Sequence, residues 1–303
     1  MIKNSHIKVM GYFLDTSLST KNKLLASKDQ RLQRFSKNFK ELDLGLNEHR
    51  CLLAILGKYT DEGYGTDISE KGVTFTTYEF CKWMGFKQDS KGRFGSRRIK
   101  EAMHALLSLS RRYFSVYFKK YMRREDGHDV YEIIALPSCH LIDIIYSASN
   151  VTEEELENGK VEDKVSKIHV RIFTKFFNEG YYKLFEANFY QRLKALLNKS
   201  NRRPTKYHFN FALWHLKQNK KFDFAEINVN KLAILLKIPF DSAHVTRARS
   251  IVRTLYKDFQ DLGYLKKYEI DIPAQTMETK DRLYLVDPIG LLSRGETGCN
   301  YGG

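Results

Sequence analysis

Two clusters of long, hydrogen-bonding side chains stand out in the chain. One runs Ser96, Arg97, Arg98, Lys100 and His104, with Lys91 and Arg93 just ahead of it; the other runs His244, Thr246, Arg247, Ser250 and Arg253. Guanidinium and ammonium groups donate hydrogen bonds and accept none, so their partners are acceptor-rich groups such as phosphate oxygens or the O6 and N7 edge of guanine. Residue type alone does not separate a backbone contact from a base contact. The bland alternative is ordinary solvated charge on a helix surface. Against it stands the recurrence, because both clusters open a helix and both helices lead into a strand. A further set, Lys119, Lys120, Arg123 and Arg124, crowds one strand pair, and Lys266 and Lys267 begin another. These would hold phosphates, or serve as edge-strand charges that block sheet-to-sheet aggregation.

Catalytic chemistry finds no comparable cluster. The nine histidines are dispersed, no His-hydrophobic-His pair occurs, and no GxxxxGK[ST] phosphate loop is present. Tyr181, Tyr182 and Tyr190 fall in apolar periodic segments, where they read as core or rim. Cys51, Cys81, Cys139 and Cys299 are scattered without zinc-ligand spacing. The expectation is therefore no enzyme, no cofactor and no metal, in a reducing cytoplasm.

The elements that would carry the two clusters follow from periodicity. LNEHRCLLAILGKYT reads as a helix with Asn47 at its N-cap, and Thr76 caps a short helix that Gly85 ends. After the polar loop KQDSKGRFGS comes a second helix, with Ile99, Met103, Leu106 and Leu107 inward. That leaves Arg97, Lys100, Glu101 and His104 outward. RYFSVYFKKY and DVYEIIAL then alternate as strands about the turn REDGHD. Helix, helix, helix and hairpin is the order of a winged-helix domain, in which the second helix of the helix–turn–helix enters the major groove.

The order returns later. TKYHFNFALWHLKQN is a helix behind Pro204, INVNKLAILLKIPF a short one, and DSAHVTRARSIVRTLYKDFQDLG a long one. The long helix is opened by Asp241 or Ser242, closed by Gly263, and buries Ala248, Ile251 or Val252, Leu255 and Phe259. YLKKYEIDI and DRLYLVD make a second wing. Between the two copies, KIHVRIFTKFF and YYKLFE read as a hairpin about Asn178–Gly180. The resulting expectation is an α+β, mainly helical chain with two winged-helix domains in tandem. Its parts are a basic arm over 1–43, a first domain over 44–150 and an acidic connection over 151–165. A second domain over 166–292 and a tail over 293–303 complete it.

Composition agrees with a polyanion as partner. The chain has 303 residues, a formal net charge of +15 and 42% hydrophobic residues. Each Lys or Arg that neutralises a phosphate releases a condensed counterion, which favours nucleic acid. No apolar run approaches the roughly 20 residues of a spanning helix, so no membrane is expected.

FTTYEFCKWMGFKQDSKGRFGSRRIKEAMHALLSL and the helix ending in DLGYLKKYEID are similar to segments of the plasmid replication initiators with two winged-helix domains, the TrfA-like and RepE-like proteins. The resemblance spans roughly Leu44 to Leu292, and the acidic connection departs from it. It implies binding to direct repeats in a double-stranded origin, melting of adjacent DNA and recruitment of the host replicative helicase and initiator. It also implies a homodimeric form that represses its own promoter. A winged-helix transcriptional repressor and, from another class, a nicking or recombining enzyme are the rivals.

Overall fold

A computed structural model describes residues 6–10, 30–37, 39–62, 72–148, 150–158, 165–172, 182–218, 223–240, 244–273 and 279–286. Its contacts divide the chain into two compact units, Met1–Lys183 and Leu184–Gly303.

In the first unit the described elements are strand β1 (His6–Met10), helix α1 (Gln30–Lys37), helix α2 (Leu46–Asp61), strand β2 (Val73–Thr76), helix α3 (Thr77–Trp83) and helix α4 (Ser96–Ser110). They continue with β3 (Tyr113–Glu125), β4 (His128–His140), β5 (Ile142–Ala148), α5 (Glu153–Glu157), β6 (Val165–Ile172) and β7 (Tyr182–Glu186), which runs across the division between the units. Regular structure thus starts ahead of Leu44, and Phe39 is already buried. Helix α2 begins one residue before the expected cap. Its N-cap is Gly45, whose N–H donates to Glu48 Oε2 at 2.6 Å, while Asn47 lies inside the helix. Glu48 won the competition because its carboxylate also accepts from Arg112 Nε at 2.9 Å and Ser108 Oγ at 2.5 Å, tying α2 to α4.

β3 and β4 form a sheet of their own. Asp126 and Gly127 both have positive φ, 49° and 79°, which is the type I′ geometry that fits the twist of a two-residue hairpin. The sequence reading stopped β4 at Leu136, before Pro137. In the structure the strand continues, because the register slips between Val116–Leu136 and Phe114–Cys139 and leaves Pro137 in a bulge without a ladder N–H to supply. A second sheet has the order β2-β6-β5, antiparallel throughout. So β6, expected to pair with the segment after Asn178, pairs instead with β2 and β5; the Asn178–Gly180 turn itself lies outside the described residues. Tyr59 of α2 locks onto this sheet, its buried hydroxyl donating to Val170 O and accepting from Ile172 N, both at 3.2 Å. Gly72 lets β2 approach, since a Cβ there would sit 2.5 Å from Val170 O.

The second unit contains α6 (Phe189–Asn198), α7 (Lys206–Lys217), β8 (Phe224–Ile227), α8 (Val229–Leu235), α9 (Val245–Asp261), β9 (Leu265–Pro273) and β10 (Thr279–Leu285). Its sheet has the order β8-β10-β9. Phe189, Phe209, Phe211, Phe259 and Tyr264 form a contiguous aromatic core with edge-to-face contacts such as Phe211–Phe259 at 4.5 Å. Asp258 is wholly buried and accepts from Arg202 Nη1 at 2.9 Å, with His208 Nε2 at 3.3 Å.

Candidate nucleic-acid interface

Each unit contains a helix–turn–helix, and the two are built alike down to single bonds. In the first, Thr76 caps α3 by accepting from Glu79 N at 3.1 Å, and the seven-residue helix ends at Met84 with Gly85 at φ 71°. Gly85 N donates to Lys82 O at 3.0 Å and Phe86 N to Cys81 O at 3.2 Å, the two bonds of a Schellman stop. In the second, Asn228 caps α8 by accepting from Asn230 N at 2.9 Å, and the seven-residue helix ends at Leu236 with Lys237 at φ 58°. Lys237 N donates to Ile234 O and Ile238 N to Ala233 O, both at 3.0 Å. The preceding long helix clamps the stop in each. Arg50 of α2 donates to Met84 O from Nε at 3.0 Å and Nη2 at 2.6 Å; Asn210 of α7 donates to Leu236 O at 2.8 Å. Both donors are the fifth residue of their helix.

Helix α4 follows the first turn. Ala102, Met103, Ala105, Leu106 and Leu109 are its buried side, with Ile99 and Leu107 at the margin. Ser96, Arg97, Arg98, Lys100 and His104 are all exposed, as is Arg93 in the loop before them. Arg98 is half committed, donating to Glu101 at 2.6 Å and lying 5.7 Å over the Phe86 ring. Phe86 receives Arg50 at 4.3 Å, so the cation at the head of α4 and the clamp on α3 share one ring.

Helix α9 follows the second turn and buries Ala248, Val252, Leu255, Tyr256, Asp258 and Phe259. The described residues start at His244, its N-cap, whose side chain makes no capping bond; Asp241 and Ser242, the expected openers, lie outside them. His244, Thr246, Arg247 and Ser250 are exposed, and Arg253 is half-buried, donating to Asp271 at 2.6 Å. Its Nε is buried without a partner among the described residues. An open groove of about 700 Å³ runs along this face, lined by Arg202, Thr246, Arg249, Ser250, Arg253 and Lys257 among others. Sequence reading missed Arg249 and Lys257, although Arg249, Arg253 and Lys257 recur every fourth residue, the spacing of one helix face.

The hairpin residues divide. Lys266 is exposed on β9, which follows α9 directly, and its carbonyl accepts from Gln260 at 3.1 Å. Arg123 is exposed near the tip of β3–β4 and paired with Glu125 at 3.0 Å, and the Lys120 side chain lies outside the described residues. The β3–β4 hairpin is separate from the three-stranded sheet, so it is not the counterpart of β9–β10. By strand order, β2-β6-β5 beside β8-β10-β9, the counterparts are β5 and β6. The segment that joins those two counterparts is the acidic connection carrying Glu153, Glu154 and Glu157. The hairpin that the sequence offers as the wing, the first after α4, is thus not the one that matches β9–β10 by strand order.

Among the described residues no group of three His, Cys, Asp or Glu could hold a metal, and no helix is long and apolar enough to cross a membrane. Burial pushes the Cys81 and Cys139 thiols up to about 11, away from a reactive thiolate.

Comparison with known proteins gives one decisive result. No curated protein matches the chain. A crystal structure of domains 2 and 3 of RctB is similar at 10% identity and a TM-score of 0.41, covering 78% of this chain and 80% of that one. That likeness is too weak to carry weight. A family model described as "Initiator Replication protein, WH1" matches residues 34–213, from α1 through most of α7 and more than half of the chain. With its first helix–turn–helix inside that match, the chain belongs to the replication initiator family as a winged-helix protein.

Proposed function

We propose that this initiator is a two-headed reader of double-stranded origin DNA, with α4 and α9 as its recognition helices and the second unit as a second winged helix. The observation that carries the reading is the duplicated helix–turn–helix, each copy closed by the same Schellman stop and followed by a helix with a cationic outer face. A major groove accepts one such helix, and one chain carrying two would read successive grooves with a raised effective concentration for the second contact. The proposed contacts are Arg93, Ser96, Arg97, Arg98, Lys100 and His104 from the first unit. Those from the second are His244, Thr246, Arg247, Ser250, Arg253 and Lys266. Lys120 and Arg123, on the β3–β4 hairpin, belong to the set only if that hairpin meets the DNA, which the strand order does not favour. No catalytic step is part of this reading. Melting of adjacent DNA, recruitment of the host helicase and initiator, and a repressing homodimer are carried over from the resemblance to two-domain plasmid initiators.

A footprint on the DNA flanking the gene tests it. Several evenly spaced direct repeats should be protected, and one inverted repeat would favour the repressor reading instead. Arg97→Ala and Arg247→Ala should each weaken binding to the protected repeat by about 1–3 kcal/mol if the side chain reads a base. If neither does, α4 and α9 are not the reading helices.

A further inference from the structure

The loop between α3 and α4 is longer than a helix–turn–helix needs, and it is built rather than slack. Asp89 organises it with three of its own atoms. Its Oδ1 accepts from Lys91 N at 2.9 Å and Arg93 N at 2.8 Å, its N–H donates to Arg93 O at 2.8 Å, and its carbonyl accepts from Gly92 N at 3.1 Å. Gly92 takes φ 73°, which closes the turn, and its carbonyl accepts from Gln88 Nε2 at 2.9 Å and Tyr78 Oη at 3.3 Å. Phe94 is buried with its ring 5.1 Å from that of Tyr78, pinning the loop's far end to α3. The backbone N–H and C=O groups of Asp89, Gly92 and Arg93 are thus paired inside the loop, while Lys91 and Arg93 stand exposed immediately before the cationic start of α4.

A carboxylate at the centre of a basic loop lowers the very potential that would attract a phosphate. Its presence makes sense if its work is geometric. We propose that Asp89 is a positioning residue for DNA, fixing the α3–α4 loop so that Lys91 and Arg93 grip the phosphate backbone beside α4; this rests on the DNA-reading role proposed above. Loop entropy that two flexible cations would lose on binding is already lost in the free protein.

A charge-matched pair of variants isolates the role. Asp89→Asn and Asp89→Ala remove the same negative charge, but Asn keeps the Oδ1 acceptor and favours the same turn. Binding of the full chain to a mixed-sequence duplex is measured by fluorescence anisotropy across salt concentrations. Asp89→Asn should bind at least as tightly as the parent. Asp89→Ala should bind about tenfold more weakly, with a slope of log K against log salt flatter by about 1.8, the value for two lost phosphate contacts. Lys91→Gln with Arg93→Gln leaves Asp89 in place and should flatten the slope equally, which keeps the test valid if Asp89→Ala folds poorly. Asn and Ala variants that bind alike, or a slope the Gln pair does not move, would overturn the proposal. Loss on Arg97→Ala alongside that result would show the wider reading intact, whereas a parent protein with no salt-dependent duplex binding would remove both.

Discussion

Asp258 shows how a single buried charge is kept. Burial pushes its carboxyl up, but hydrogen bonds from His208 and Arg202 outweigh that and hold it below the ordinary aspartate range. Arg202 comes from the α6–α7 loop and His208 from the first turn of α7, so one carboxylate on α9 fastens both. A carboxyl depressed in the folded state contributes stability above its unfolded value near 3.9 and loses it as pH falls through the folded value. Arg202→Ala should therefore destabilise the second unit by about 1–2 kcal/mol at neutral pH. That is less than for a fully buried pair, because Arg202 is 40% exposed. The deficit should be smaller in acid than at neutral pH, because the Asp258 carboxyl takes up its proton as pH falls through its depressed folded value. Urea unfolding at both pH values checks this, and a deficit that is unchanged in acid would mean Arg202 acts through packing alone. Glu48 follows the same sign in the first unit: burial raises it, and Arg112, Ser108 and Gly45 together lower it further.

At the scale of elements, the two Schellman stops make a controlled comparison. Both need a left-handed residue after the cap, and the chain uses Gly85 in one and Lys237 in the other. A side chain in that region costs roughly 1 kcal/mol. Gly85→Ala should lose about that much and Lys237→Gly should gain about the same, read as opposite shifts in thermal midpoint. Shifts of the same sign would mean that the stops are not equivalent. Gly85 was legible in the sequence as a helix stop because glycine announces the conformation; Lys237 was not, since nothing in a lysine does. The helices were legible for a related reason, as their apolar stripes repeat locally. Strand partners were not. β5 and β6 pair across the acidic connection, and β6 with β2 across some ninety residues, as in Phe75 opposite Ile168. Period-two alternation tells which face a strand buries but not whom it pairs with. The sequence therefore offers only the nearest hairpin, β3–β4, as a wing. The exposed faces of α4 and α9 are legible, since counting from core residues on their own helices puts Arg97, His104 and Arg247 outward.

For the whole molecule, matching the units by strand order makes them electrostatically unequal. β9 brings Lys266 and Lys267 straight off the end of α9, although Lys267 is engaged by Glu269 at 2.8 Å. At the matching place after α4 the chain inserts the β3–β4 hairpin, and the wing position between β5 and β6 is acidic. A net charge of +15 therefore does not act as a uniform coat. On the proposed reading an acidic wing there would repel the phosphates flanking α4, and the first unit would grip through α4 and the loop ahead of it. On the proposed reading the second unit would use helix and wing together. Counterion release makes the difference measurable, because each phosphate contact contributes about 0.9 to the salt slope. Lys266→Gln should flatten the slope by about that amount, while Arg123→Gln, on the separate hairpin, should leave it unchanged within error. The opposite pattern, a response to Arg123 and none to Lys266, would return the basic hairpin to the interface and show that strand order is a poor guide to which loop meets the DNA.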